Sequence, residues 1–184
     1  MEEYPIMLYT KNDFTFTKNE INNYSLSFYL ENNHFLLAKI INFDLIKLIY
    51  DLNIDIYEDI HLNKINENEA TINLLLKHLF EDTGLPQRYS YLHIHKCEQE
   101  NKIIFKGKSI KTTPPIRVPE HAELAPIRDM NLEFHLITPH KILFNCNIIF
   151  EEKMIVPTVA ERLIGIILHK IFNRLKLFID KVQL

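Results

Sequence analysis

Glycine is nearly missing from this chain of 184 residues: only Gly84, Gly107 and Gly165 occur, against an ordinary share of about 7%. They stand too far apart to build a phosphate-cradling loop or a dinucleotide turn, so P-loop and Rossmann chemistry are excluded. Tryptophan is absent and cysteine is limited to Cys97 and Cys146. Both sit in apolar stretches, and no positively charged leader with an apolar core precedes them. A reduced, cytoplasmic protein is expected, with no membrane span.

What remains is ordinary for a globular chain, 47% hydrophobic and 24% charged, and the length suits one domain or two small ones. The net charge of −3 hides an asymmetry. Residues 1–85 carry 14 of the 24 acids and 6 of the 21 bases, net −8, which leaves 10 acids and 15 bases, net +5, in residues 86–184. A polyanion would prefer the second half, unless the halves neutralise each other within one fold.

Hydrophobic periodicity divides the chain further. Tyr24, Leu26, Phe28 and Leu30 alternate with polar positions, as a half-buried strand does. From His34 to Leu52, Leu37, Ile41, Leu45, Leu48 and Leu52 recur at helical spacing, with Asn33 as the expected cap. Ile54 to Leu62 alternates again. A second helix is expected from about Glu67 to Asp82, with Asn66 as its cap and Gly84 beyond its end. Tyr89 to Cys97 and Lys102 to Lys106 read as a hairpin through Glu98 to Asn101. Pro114, Pro115, Pro119 and Pro126 deny backbone donors, so the domain boundary is placed there, at residues 112–127. Leu132 to Thr138 and Lys141 to Phe150 read as strands about Pro139. A long helix follows, opened by the Thr158 and Glu161 capping pair, with Ile164, Leu168, Ile171, Leu175, Phe178 and Val182 on one face. The order implies α+β layers, with helices covering one face of each sheet.

Three constellations could carry chemistry. His93, His95 and Cys97 share one strand face, and two imidazoles at that spacing can share a metal; His93-x-His95 followed by Glu100 and Gly107 is similar to part of a cupin metal motif, although its other glycines are missing. Strand histidines without a metal are the plainer reading, and no metal or cofactor is expected. A basic segment interleaves Arg88, Lys96, Lys102, Lys106, Lys108 and Lys111 with Tyr91, and Arg174 and Lys176 add to it from the last helix. Cations that neutralise phosphates beside rings that stack on bases suit single-stranded RNA, with solvated hairpin lysines as the rival. Lastly, His34 stands at a helix amino end, which disfavours the imidazolium and keeps a base available near neutrality. Tyr29 and Lys39 are near in sequence, and Lys39 could meet developing phosphorane charge.

The string Leu132-Glu133-Phe134-His135-Leu136-Ile137-Thr138-Pro139-His140-Lys141-Ile142, followed by an apolar helix ending Phe172-Asn173-Arg174-Leu175-Lys176, resembles the second half of the CRISPR-associated repeat-processing endoribonucleases of the RAMP superfamily. Tyr4-Pro5-Ile6, the strand at Tyr24 and the helix after His34 are similar to that family's first unit. The resemblance implies a ferredoxin-like domain at residues 1–111, a Pro-rich linker at 112–127 and a partial second ferredoxin-like unit at 128–184, without the family's glycine-rich loop. It further implies binding of CRISPR repeat RNA and, if the chain is catalytic, metal-independent attack by a 2′-hydroxyl, with His34 as base and Tyr29 and Lys39 as helpers. An unfinished second sheet would call for a second polypeptide or a homodimer to cover the last helix. Two other expectations stand beside it: a non-enzymatic assembly protein, viral or not, that docks a partner through the last helix, and a cupin-like metal protein using His93 and His95.

Overall fold

A computed structural model describes residues 3–182. Its strands are β1 (Ile6–Lys11), β2 (Phe14–Glu20), β3 (Asn23–Glu31), β4 (Tyr57–Lys64), β5 (Glu69–Leu76), β6 (Arg88–Gln99), β7 (Lys102–Ser109), β8 (Glu123–Leu124), β9 (Ile127–Thr138) and β10 (Lys141–Phe150). The helices are α1 (Phe43–Asp51) and α2 (Thr158–Lys181). All strands join one sheet in the order β1-β2-β3-β10-β9-β7-β6-β5-β4, antiparallel throughout, with the short β8 added parallel to β6.

Alternation sorts each strand between two faces. Phe28, Phe144, Phe134 and Ile103 lie in one cross-strand row on the inner face. On the outer face, Ser25, Asn147, Asn131, Lys106, His95 and Glu69 form a row that is polar from β3 to β5. An antiparallel sheet with one solvated face follows from that pattern, and α2 covers the inner face. Phe172 of α2 seats between Phe28 and Phe144, with ring centroids 5.0 and 5.4 Å away. From the other helix, Phe43 meets Phe105 at 5.4 Å.

The expected pair of ferredoxin-like units is therefore corrected to a single sheet. Strands from the amino half pair directly with strands from the carboxyl half, β3 with β10 and β7 with β9. The segment expected as a helix from Glu67 to Asp82 is mostly β5. Ala70 and Ile72 are buried on its inner face, and Asn73 and Leu75 are buried as well on the other. A strand buried on both sides loses its period of two and imitates a helical stripe.

The helix expected from His34 shrinks to a short 3-10 turn, Leu37–Ile40, and α1. Asn42, not Asn33, caps α1, its Oδ1 accepting from the amides of Asp44 at 2.8 Å and Leu45 at 3.3 Å. Upstream the chain is committed elsewhere: the Leu37 amide donates to the Pro139 carbonyl, and the Asn32 side chain donates to the Val182 carbonyl at the end of α2. Strands β1 and β2 had no counterpart in the sequence reading. Their turns use Asn12 and Asn22 at positive φ, 54° and 60°, a conformation that asparagine tolerates better than most residues.

Helix α2 begins as expected but for another reason. Pro157 is its N-cap and no side chain caps it. Glu161 instead lies 2% exposed in the sheet-facing side, accepting a 2.6 Å hydrogen bond from the Tyr24 hydroxyl and pairing with Lys18 at 3.0 Å. The buried face runs through Ala160, Gly165, Ile171, Leu175 and Ile179, while Phe178 is exposed. Because α2 is covered by its own sheet, the second polypeptide or homodimer expected to cover it loses its rationale.

Candidate functional site

The inner face is filled unevenly. Toward the middle of α2 the Phe28, Phe144 and Phe172 rings close the space between helix and sheet. Toward its amino end, no ring of that size faces the sheet, and a cavity of about 300 Å³ remains. The sheet supplies Leu74 and Leu76 of β5, Ile127 of β9, and Ile148 and Phe150 of β10; α2 supplies Ala160, Ile164, Ile167, Leu168 and Ile171. Two connections form the rim: residues 77–87 with Leu79, Phe80 and Leu85, and residues 154–157 with Met154, Ile155 and Val156. Leu79 is 38% exposed and Ile155 81%, so the rim is apolar where it meets solvent.

Few polar side chains reach this space: Tyr57, Lys77, Gln87, Arg88 and Ser90. Most are occupied by the protein. Burial pushes the Tyr57 phenol above its ordinary range, so it stays a neutral hydroxyl. Gln87 is 3% exposed; its amide donates to Glu58 Oε2 and to the Leu76 carbonyl, both at 2.7 Å, and its oxygen meets His121 Nε2 at 3.0 Å. His121 stacks on His78 at 5.9 Å, and His78 Nε2 donates to the Leu85 carbonyl at 2.6 Å. These bonds fasten the rim connection to β4, β5 and the segment before β8. Arg88 Nη1 pairs with Glu123 Oε2 at 2.8 Å and reaches the Leu124 carbonyl at 3.4 Å.

Behind the cavity, α2 is tied to the α1–β4 connection. Asp55 accepts from Lys170 at 2.7 Å and takes both guanidinium nitrogens of Arg174, at 2.5 and 3.0 Å. Hydrogen bonds from Arg174 and then Lys170 hold its carboxyl well below the usual carboxylate range. Farther along, Lys176 pairs with Asp13 at 2.5 Å.

The residues singled out from sequence are not brought together. His34 is exposed in the connection after β3, its amide bonded to Asn32 Oδ1 at 2.7 Å, and Lys39 is exposed one turn on. Tyr29 projects from the outer face of β3, where Lys141 lies 4.6 Å from its ring centre. Arg88 faces the cavity, while Tyr91, Lys102, Lys106 and Lys108 occupy the opposite face of the sheet. Lys96 pairs with Glu98 at 2.5 Å, Lys102 with Glu133 at 3.5 Å and Lys111 with Glu151 at 2.7 Å. Arg174 and Lys176 are paired on α2 as well, while Lys106 and Lys108 carry no described ion pair. His93 and His95 project from the outer face beside Lys108 and Lys106, and among the described residues no group of three metal-ligating side chains gathers anywhere.

Cavity residues were legible as apolar but not as a site. Ile164, Leu168 and Ile171 were read as a packing stripe, which they are along part of α2. Nothing in a linear pattern says that the facing strands supply Leu74 and Ile148 at this level of the helix.

No protein-family model matches the sequence, and no curated protein does. Solved structures do match across nearly the whole chain. The human StarD13 (DLC2) lipid transfer and protein localization domain superposes with a TM-score of 0.71 at 7% identity, covering 98% of this chain and 91% of that one. Human STARD10 gives 0.70 at 9% identity, covering 95% and 72%. A STAR-related lipid transfer protein fragment from Xanthomonas axonopodis gives 0.67 at 10% identity, covering 95% and 98%. The fold is thus the helix-grip arrangement of StAR-related lipid transfer domains, a long carboxyl-terminal helix held against a large antiparallel sheet. This overturns the resemblance to CRISPR-associated RAMP endoribonucleases, and with it the RNA partner and the CRISPR role. The short apolar strings that carried that resemblance occur wherever a strand with Thr-Pro precedes an amphipathic helix. The assembly and cupin readings gain no support from this fold either.

Proposed function

We propose that this chain is a binding module for a small apolar or amphiphilic molecule, held between the amino half of α2 and the sheet. The observation that carries this reading is the cavity itself: about 300 Å³ lined mainly by aliphatic and aromatic side chains, at the low end of the roughly 300–1,000 Å³ typical of ligand pockets. Apolar walls of this kind meet water unless something covers them, and taking them out of water is favourable. A ligand with an apolar body supplies that cover.

The described lining includes no histidine, cysteine, aspartate or glutamate, which favours holding a ligand over transforming it. The exposed rim residues Leu79 and Ile155 favour exchange with an apolar phase such as a lipid surface, in keeping with the lipid transfer named for proteins of this fold. No described helix is long and apolar enough to cross a membrane, and both cysteines are free. A reducing, cytoplasmic setting is part of the proposal.

Native mass spectrometry after incubation with a mixed lipid extract tests it. Bound lipid at one molecule per chain is expected, lost in Ala160→Trp, whose indole occupies the cavity, while circular dichroism keeps the same sheet and helix content. A wild-type protein that takes up no apolar ligand overturns the reading.

A further inference from the structure

The cavity has a charge asymmetry that the fold does not require. Its lining contains two cations, Lys77 and Arg88, and no carboxylate, although acids outnumber bases in the chain by 24 to 21. Arg88 is on the inner side of β6, two residues before Ser90, which also lines the cavity and is registered with Leu74 of β5. Its ion pair uses one nitrogen, Nη1, and the partner Glu123 is 60% exposed at its side chain while that of Arg88 is 24% exposed. The acid thus holds the guanidinium from the solvent side, and Nε and Nη2 carry no described hydrogen bond. Lys77 is exposed at the rim, on the connection that follows β5, with no described ion pair.

A guanidinium with a free edge, a second cation at the mouth and apolar walls beyond them fit one kind of ligand. Resting on the binding function above, we propose that the cavity takes an amphiphile with a single apolar chain and one anionic head, the chain lying against Ile164, Leu168 and Ile148 and the head meeting Arg88 and Lys77. The planar fork of Arg88 suits a carboxylate, which accepts two parallel hydrogen bonds. Volume favours one chain over two, because about 300 Å³ sits at the lower bound for drug-sized ligands.

Displacement of a fluorescent apolar probe, with the full chain, tests this using oleate, oleyl alcohol and dioleoyl phosphatidate. Oleate should bind at one per chain and about tenfold or more tighter than the alcohol, the difference a charge-assisted hydrogen bond makes; phosphatidate should displace poorly. In Arg88→Gln and Lys77→Gln the preference for oleate over the alcohol should shrink, while circular dichroism keeps the same sheet and helix content, which shows that the variants fold. Equal binding of acid and alcohol overturns the anionic head. Phosphatidate binding as well as oleate overturns the single chain. A preference that survives both substitutions overturns the assignment to Arg88 and Lys77. Failure of all three ligands to displace the probe overturns the binding function itself.

Discussion

Gly165 offers a direct test of how α2 sits on the sheet. A methyl group built at this position would lie 2.7 Å from Tyr9 Cβ, 3.0 Å from Phe16 Cδ1 and 3.4 Å from Tyr9 Cγ. Carbon atoms settle at about 3.5–4.0 Å, so helix and strand must separate by about 1 Å to admit it. The nearest atom is attached directly to the β1 backbone, and a rotamer change of Tyr9 does not move it. Overpacking of this kind costs about 1–3 kcal/mol. Alanine also gains up to about 1 kcal/mol over glycine through its helix propensity. The contact is expected to win, leaving Gly165→Ala less stable by about 1 kcal/mol. With a urea m-value of about 2 kcal/mol per molar, the midpoint should fall by about 0.5 M. Arg162→Ala, at an exposed position of the same helix, controls for propensity and should change the midpoint little. If Gly165→Ala raised the midpoint, propensity would have outweighed the contact, and the close seating of α2 on Tyr9 would be refuted.

Three further outcomes follow from named contacts. Tyr24→Phe removes the hydroxyl that donates to buried Glu161 and should cost about 1–3 kcal/mol in urea unfolding, the penalty for a buried charged group that loses a donor. Asp55→Asn loosens the tie to Lys170 and Arg174; as the groups are partly exposed, a loss of about 1 kcal/mol or less is expected. The Asp55 carboxyl titrates lower folded than unfolded, so its stabilisation is complete above the unfolded value near 3.9 and fades as pH falls toward the folded one. Wild type and Asp55→Asn should therefore differ at neutral pH and converge in strong acid; a constant difference would show that the carboxylate charge is not what matters. Finally, burial raises the Cys146 thiol to about 12 while Cys97 is partly exposed. A thiol reagent at pH 8 should label Cys97 in the native protein and Cys146 only after unfolding, and rapid native labelling of Cys146 would contradict its place on the inner face of β10.

What the sequence determined by itself was local. Alternation at Tyr24 to Leu30, Tyr89 to Cys97 and Lys141 to Phe150 is period two because one face of an antiparallel sheet meets water, and those segments are β3, β6 and β10. The long helix from Thr158 was equally legible from its apolar stripe, a property of neighbouring residues, although the Thr158 and Glu161 cap expected there does not form. Tertiary structure decided the rest. Burial of β5 on both faces erased its alternation and made a strand read as a helix. The Asn32 side chain, bonded to the end of α2, and the Leu37 amide, bonded to Pro139, took the segment after His34 out of helical bonding.

Pairing of β3 with β10 and β7 with β9 joined segments that the proline-rich stretch seemed to divide. Charge misled for a related reason: a basic segment is visible in sequence, but its partners Glu123, Glu133, Glu151, Asp55 and Asp13 are assigned only by folding. The cavity is the extreme case. It is a volume without atoms, bounded by β5, β6, β9, β10 and α2, and no residue spacing encodes a gap between elements that lie far apart in the chain.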